Sequence, residues 1–168
     1  MLLSGVALAQ ELQTPEQVVM ARVAEAAQKA DPRRTYREIW CSHCPPLVDA
    51  VGEVTGAWEI ANDDREKVSV TISQMKTAEA AAKFGERALN EVAKGFTKEE
   101  APKGWTEKVL QSGTGVLATY LDYYDSEGPK HYLITLWNGT FVIKINARSQ
   151  ERVDEFLRFV QQALAPKG

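Results

Sequence analysis

The sequence predicts an α+β fold, an antiparallel sheet of about five strands with helices packed on one face. Three observations carry this expectation. Apolar residues recur at helical spacing near both ends of the chain and once in its middle. Elsewhere the period falls to two, as where Val68, Val70 and Ile72 alternate with Ser69, Thr71 and Ser73. Short turn signals join most of the alternating runs, and short turns make antiparallel neighbours.

The first helix opens at Thr14-Pro15-Glu16-Gln17, with Thr14 as N-cap, Pro15 in the first turn and Gln17 closing a capping box. Val18, Val19, Val23, Ala26, Ala27 and Ala30 supply its apolar side, and Asp31-Pro32 ends it. A polar connector, Pro32 to Glu38, leads into Trp40-Cys41-Ser42-His43-Cys44-Pro45-Pro46. A short helix is then expected from Leu47 to Val54, closed by Gly56.

Trp58 and Ile60, the turn residues Asn62-Asp63-Asp64-Arg65, and the Val68 to Ser73 alternation read as a β-hairpin. Its outer face is expected to carry Ser69, Thr71 and Ser73. Thr77 caps a second long helix running to about Lys94, with Ala81, Phe84, Ala88, Leu89 and Val92 at helical spacing. Residues 96–115 form a Lys-, Glu-, Gly- and Pro-rich excursion of the length that functional loops favour, anchored by Trp105. A meander of three strands follows, Val116–Tyr124, His131–Trp137 and Thr140–Ala147. Asp125 to Pro129 joins its first pair. Asn138-Gly139 joins the second, a type I′ signal because both residues accept positive φ. Ser149 caps the last helix, whose stripe is Val153, Phe156, Leu157, Val160 and Leu164.

The chain has 168 residues, one domain's worth, with 44% apolar and 26% charged residues and a mean hydropathy of −0.31. That composition supports a packed core and excludes collagen-like, disulfide-dense and wholly disordered chains. A net charge of −3 and a pI near 5.5 argue against nucleic acid as a partner. No stretch has the roughly 18 uninterrupted apolar residues of a membrane span. Met1 to Ala9 is apolar and ends in Ala7-Leu8-Ala9, the small-x-small pattern of a signal-peptide cleavage site. Residues 1–9 are therefore expected to be the remnant of a signal peptide and 10–168 a single periplasmic or secreted domain.

Trp40-Cys41-Ser42-His43-Cys44 is the motif with a mechanism attached, and two readings of it stand open. In an oxidising compartment two cysteines so spaced pair as a local disulfide staple. The same five residues resemble the W-C-x-x-C site of the thioredoxin and disulfide-isomerase family. That resemblance implies Cys41 as nucleophile, Cys44 as resolving thiol and His43 favouring the Cys41 thiolate. The sequence departs from the family where Pro45-Pro46 follows the motif and where Arg33 to Glu38 precedes it in place of an apolar strand. Haem attachment is excluded, because Pro45 stands where that motif needs His. No further C-x-x-C or H-x₃-H pair completes a metal site, and no phosphate-cradling loop or nucleophile elbow is present, so neither metal nor cofactor is expected.

The segments Cys44–Gly56, Val68–Ala82 and Leu136–Leu164 together resemble small exported or lipoprotein-type bacterial envelope domains. The resemblance implies location and a non-catalytic role. The remaining candidates are aromatic: Trp105 on the excursion, with Tyr120, Tyr123, Tyr132 and Trp137 in the meander, as a surface for a protein, peptide or apolar ligand. Tyr120 and Tyr123 fall on opposite faces of their strand, so these residues do not all line one site. The expected function is non-enzymatic binding. The alternative is a thiol–disulfide oxidoreductase.

Overall fold

The computed structural model describes residues 13–40, 47–85, 106–109, 117–123 and 131–165, of which 106–109, 117–123 and 131–133 by backbone only. Residues 1–12, the Cys41–Pro46 segment, most of the 96–115 excursion and the Asp125–Pro129 turn lie outside them. Among the described residues, α1 (Pro15–Ala30) precedes β1 (Thr35–Ile39), β2 (Ala50–Ile60) and β3 (Asp63–Met75). Helix α2 is described over 78–85. Then come β4 (Thr106–Val109), β5 (Leu117–Tyr123), β6 (His131–Asn138), β7 (Phe141–Ala147) and α3 (Gln150–Leu164).

The strands form one antiparallel sheet in the order β1-β2-β3-β7-β6-β5-β4. The α+β class follows the sequence reading, and the expected hairpin and meander are β2–β3 and β5–β6–β7. Two further strands flank them. The stretch read as a polar connector pairs as β1, with Thr35 opposite Glu59 and Ile39 opposite Thr55. The helix expected from Leu47 to Val54 is instead a turn at 47–49 followed by β2. Val51, Val54 and Thr55 favour a strand, and Gly52 and Gly56 are poor helix residues but suit close approach. Asp49 turns the chain with a φ of 69°, and Ala50 N–H donates to Leu47 C=O at 3.0 Å.

Both tight hairpins are two-residue turns. Asn62 has a φ of 64°, which asparagine tolerates better than most residues. The β6–β7 turn sits one residue later than the sequence reading put it: Asn138 pairs with Phe141, and Gly139, at a φ of 54°, opens the loop.

Alternation builds the core. Val54 and Trp58 of β2, Val68, Val70 and Ile72 of β3, Ile134 and Leu136 of β6, and Ile143, Ile145 and Ala147 of β7 face one way. Against them pack Val19, Met20, Val23 and Ala27 of α1 and Val153, Phe156, Leu157 and Val160 of α3. The Trp58 and Phe156 rings meet at 4.9 Å between centroids. Gln17 accepts from Thr14 N–H at 3.0 Å, Thr77 Oγ1 from Ala80 N–H at 3.0 Å and Ser149 Oγ from Arg152 N–H at 3.3 Å, so the expected caps hold all three helices.

The opposite face is polar along β2 and β3: Thr55 and Thr71 hydroxyls share a hydrogen bond of 2.9 Å, and Ser73 donates to Glu53 at 2.7 Å. At one end of that face Met75, Val142 and Trp137 pack against Ala81 and Phe84, so α2 lies across the face that α1 and α3 leave open. None of the described helices is long and apolar enough to cross a membrane.

A charged cluster ties α3 to β1. The Arg34 side chain, 2% exposed, gives a bidentate pair to Glu155 at 3.3 and 2.7 Å and lies 5.5 Å over the Phe156 ring. Glu66 sits 3.7 Å from Arg34, and Arg152 bridges Glu66, Glu151 and Glu155. Removing one member of a buried pair leaves a charge without compensation, which costs about 3–5 kcal/mol. Glu155→Ala is therefore expected to destabilise the fold by about 3 kcal/mol, since Glu66 and the ring offset part of the loss. Glu66→Ala, at the longer distance, costs less than half as much; urea unfolding of the two variants measures the difference.

Candidate functional site

β1 and β2 run antiparallel, so the exit of β1 and the entry of β2 lie at the same end of the sheet. Four of the large apolar residues left exposed among the described ones lie there, Ile39, Trp40, Val48 and Val51, with Trp40 87% exposed, whereas Tyr36 stands near the start of β1 opposite Trp58. Scattered exposed apolar side chains are ordinary, whereas a gathered patch marks an interaction surface. β1 itself is exposed at every position, and among the described residues it has a neighbour on one side only. Among the described residues its outer-edge backbone donors and acceptors have no strand partner.

On the helix side of β1 lies a cleft of about 400 Å³, lined by Gln13, Gln17, Met20 and Ala21 of α1 and its approach and by Tyr36 and Glu38. Gly56 lies against two of its lining residues, Met20 and Tyr36. A Cβ there would stand 2.7 Å from Tyr36 Cε2, 2.8 Å from Trp58 Cη2 and 2.9 Å from Met20 Sδ, so only glycine lets the Tyr36 and Trp58 rings pack at 5.0 Å. Gly52 plays a similar part nearby. The Glu16 carboxylate occupies the space a side chain at 52 would need, and Glu16 is itself buried in the first turn of α1. A helix N-terminus is a favourable place for that charge. Burial pushes the Tyr36 phenol above its ordinary value, and the Glu38 carboxylate adds to the effect.

Across β1, on the polar face, a shallow groove of about 290 Å³ runs between Arg37, Ala57, Glu59, Lys67, Ser69, Asn146 and Arg148. Lys67 is held at 2.5 Å by Asp64. Among the described residues no group of His, Cys, Asp and Glu could hold a metal ion.

The residues singled out from the sequence fall elsewhere or outside view. Cys41, His43 and Cys44 lie in the connection between Trp40 and Leu47, outside the described residues, as does Trp105. Tyr120, Tyr123 and Tyr132 are placed by register alone, opposite Ile134, His131 and Ala147 respectively. Trp137 is half-buried and packs on the Met75, Ala81 and Val142 cluster beneath α2. The patch at the β1–β2 end was missed because its strands were read as connector and helix. The signal was present in the β-formers Thr35, Tyr36 and Ile39, and in a glycine, Gly52, inside a proposed helix. Neither a family model nor a curated protein matches the chain.

Two outcomes test this geometry. Gly56→Ala is expected to cost about 1–3 kcal/mol, the range for overpacking, and to displace Tyr36 from Trp58; urea unfolding and tryptophan emission read both. The raised Tyr36 phenol binds its proton more tightly folded than unfolded. Its contribution is complete below about pH 10 and is lost as pH rises above that value. Tyr36→Phe is expected to remove that alkaline loss, seen as a flatter stability profile above pH 10.

Proposed function

We propose that this chain is a non-enzymatic binding domain of an exported protein, periplasmic or secreted, and that it binds through the β1–β2 end of its sheet. The observation that carries the reading is the exposure of Ile39, Trp40, Val48 and Val51 at that one end of the sheet. Keeping a tryptophan in water forgoes about 1.5–3 kcal/mol of burial, the scale for a large apolar side chain, which a partner would recover. Export is supported by the Ala7-Leu8-Ala9 pattern and by a cysteine pair suited to an oxidising compartment.

The alternative, thiol–disulfide exchange at Cys41 and Cys44, requires a lowered thiol pKa, for which a helix starting at the motif is the usual source. The described residues after the motif run as turn and strand, which favours the binding reading.

The apolar dye anilinonaphthalene sulfonate, titrated into the native protein, tests the surface. Trp40→Ser with Val48→Ser is expected to lose most of the fluorescence gain without loss of fold, because surface substitutions change stability by about 0.5 kcal/mol or less. An unchanged gain overturns the surface. A parallel thiol-exchange assay is expected to show no turnover; turnover abolished by Cys41→Ser overturns the non-enzymatic reading.

A further inference from the structure

We infer that β1 captures an extended peptide segment of a different protein, which adds to the sheet as an antiparallel strand beside Thr35–Ile39. The inference rests on the binding role proposed above and supplies the partner's chemistry. Among the described residues β1 is the outermost strand, its residues are all exposed, and its inner side is fixed by five register pairs to β2. Its base is held by the buried Arg34, the residue before Thr35. Thr35 Oγ1 adds a bond of 3.1 Å to the Glu59 carbonyl. A rigid edge of this kind is what strand addition uses: main-chain hydrogen bonds give affinity, and alternate side chains give specificity.

The side chains of β1 say which strand fits. Tyr36 and Glu38 stand on the cleft side, whereas Arg37 lines the groove on the polar face. A second copy of the chain fits poorly. Two-fold pairing of β1 with itself centres on one residue; centred on Arg37 it opposes two guanidinium groups, and centred on Glu38 two carboxylates. Centring on Tyr36 or Ile39 leaves three paired residues at most within Thr35–Ile39. Like charges directly opposite are destabilising, so the strand is set against its own copy.

The complementary partner carries an acidic residue opposite Arg37 and a basic one opposite Glu38. Apolar side chains then stand opposite Ile39 and Tyr36. The basic side chain enters the cleft, where the Glu38 carboxylate and the Gln13 and Gln17 amides line the wall. Residues of the partner beyond Ile39 run on past Trp40, whose exposure the added strand would reduce.

The test uses a synthetic peptide with the core Val-Lys-Asp-Val-Thr, which in antiparallel register sets Val, Lys and Asp opposite Ile39, Glu38 and Arg37. The full chain is titrated by calorimetry with this peptide and with the charge-exchanged Val-Asp-Lys-Val-Thr. The matched peptide is expected to bind on the order of tenfold more tightly, since two cross-strand pairs turn from attractive to repulsive. Arg37→Glu with Glu38→Lys, both at exposed positions, is expected to reverse the preference. N-methylation of the peptide at alternate amides, on the side that faces β1, abolishes binding.

Equal affinity for the two peptides, no binding of the matched one, or indifference to N-methylation overturns the inference. So does a dimer in sedimentation that strengthens when the unmodified chain is mixed with the Arg37→Glu variant, so that Arg37 of one copy faces Glu at that position in the other, which would make a second copy the occupant. Dye binding that still depends on Trp40 and Val48 in those cases leaves the binding role standing and rejects strand addition alone.

Discussion

The buried Arg34 is the constraint around which the exposed parts of this fold are arranged. Taking a guanidinium out of water costs several kcal/mol, and the bidentate pair to Glu155 with the Phe156 ring beneath it offsets that cost. One polar atom, Arg34 Nε, is buried without a partner, so the compensation is incomplete. A buried ion pair contributes little beyond what an apolar replacement would give, but it tolerates only one geometry. Here that geometry sets the first turn of α3, the start of β3 and the root of β1 in fixed relation.

That relation explains why a surface is left over. α1 and α3 lie on β2, β3, β6 and β7, and their apolar stripes are filled by those strands. β1 lies at the margin of both stripes, held at its root by charge and along its length mainly by backbone pairing, with the Tyr36 ring on Trp58 as its contact to the core. Its helix side therefore opens into a cleft instead of a core. Gly52 and Gly56 permit the close packing beside it, because each stands where a methyl group would collide with Glu16 or with the Tyr36 and Trp58 rings.

The legible part of the fold was the part written in periodicity. β3 over residues 68–72 and β7 over residues 143–147 alternate because one face is buried in the core and the other is not, and the caps at Thr14, Thr77 and Ser149 are local chemistry. β1 was illegible for the opposite reason: all its residues are exposed, so no burial pattern marks it as a strand. The start of β2 misled through its neighbours. Val51 and Val54, with turn chemistry on either side, read as a short helix until pairing with β3 supplied the hydrogen bonds that residues 50–60 need.

What the sequence determined by itself was class, element count near the centre of the sheet, and the core, since helical and strand periods depend only on which residues prefer water. The tertiary structure decided strand order, the placement of α2 on the face opposite α1 and α3, and the position of the surface. Those depend on contacts between residues far apart in the chain, such as Arg34 with Glu155 or Glu16 under Gly52. An exposed tryptophan and a buried one have the same letter. Only packing against α1 and α3 separates Trp58 in the core from Trp40 in solvent.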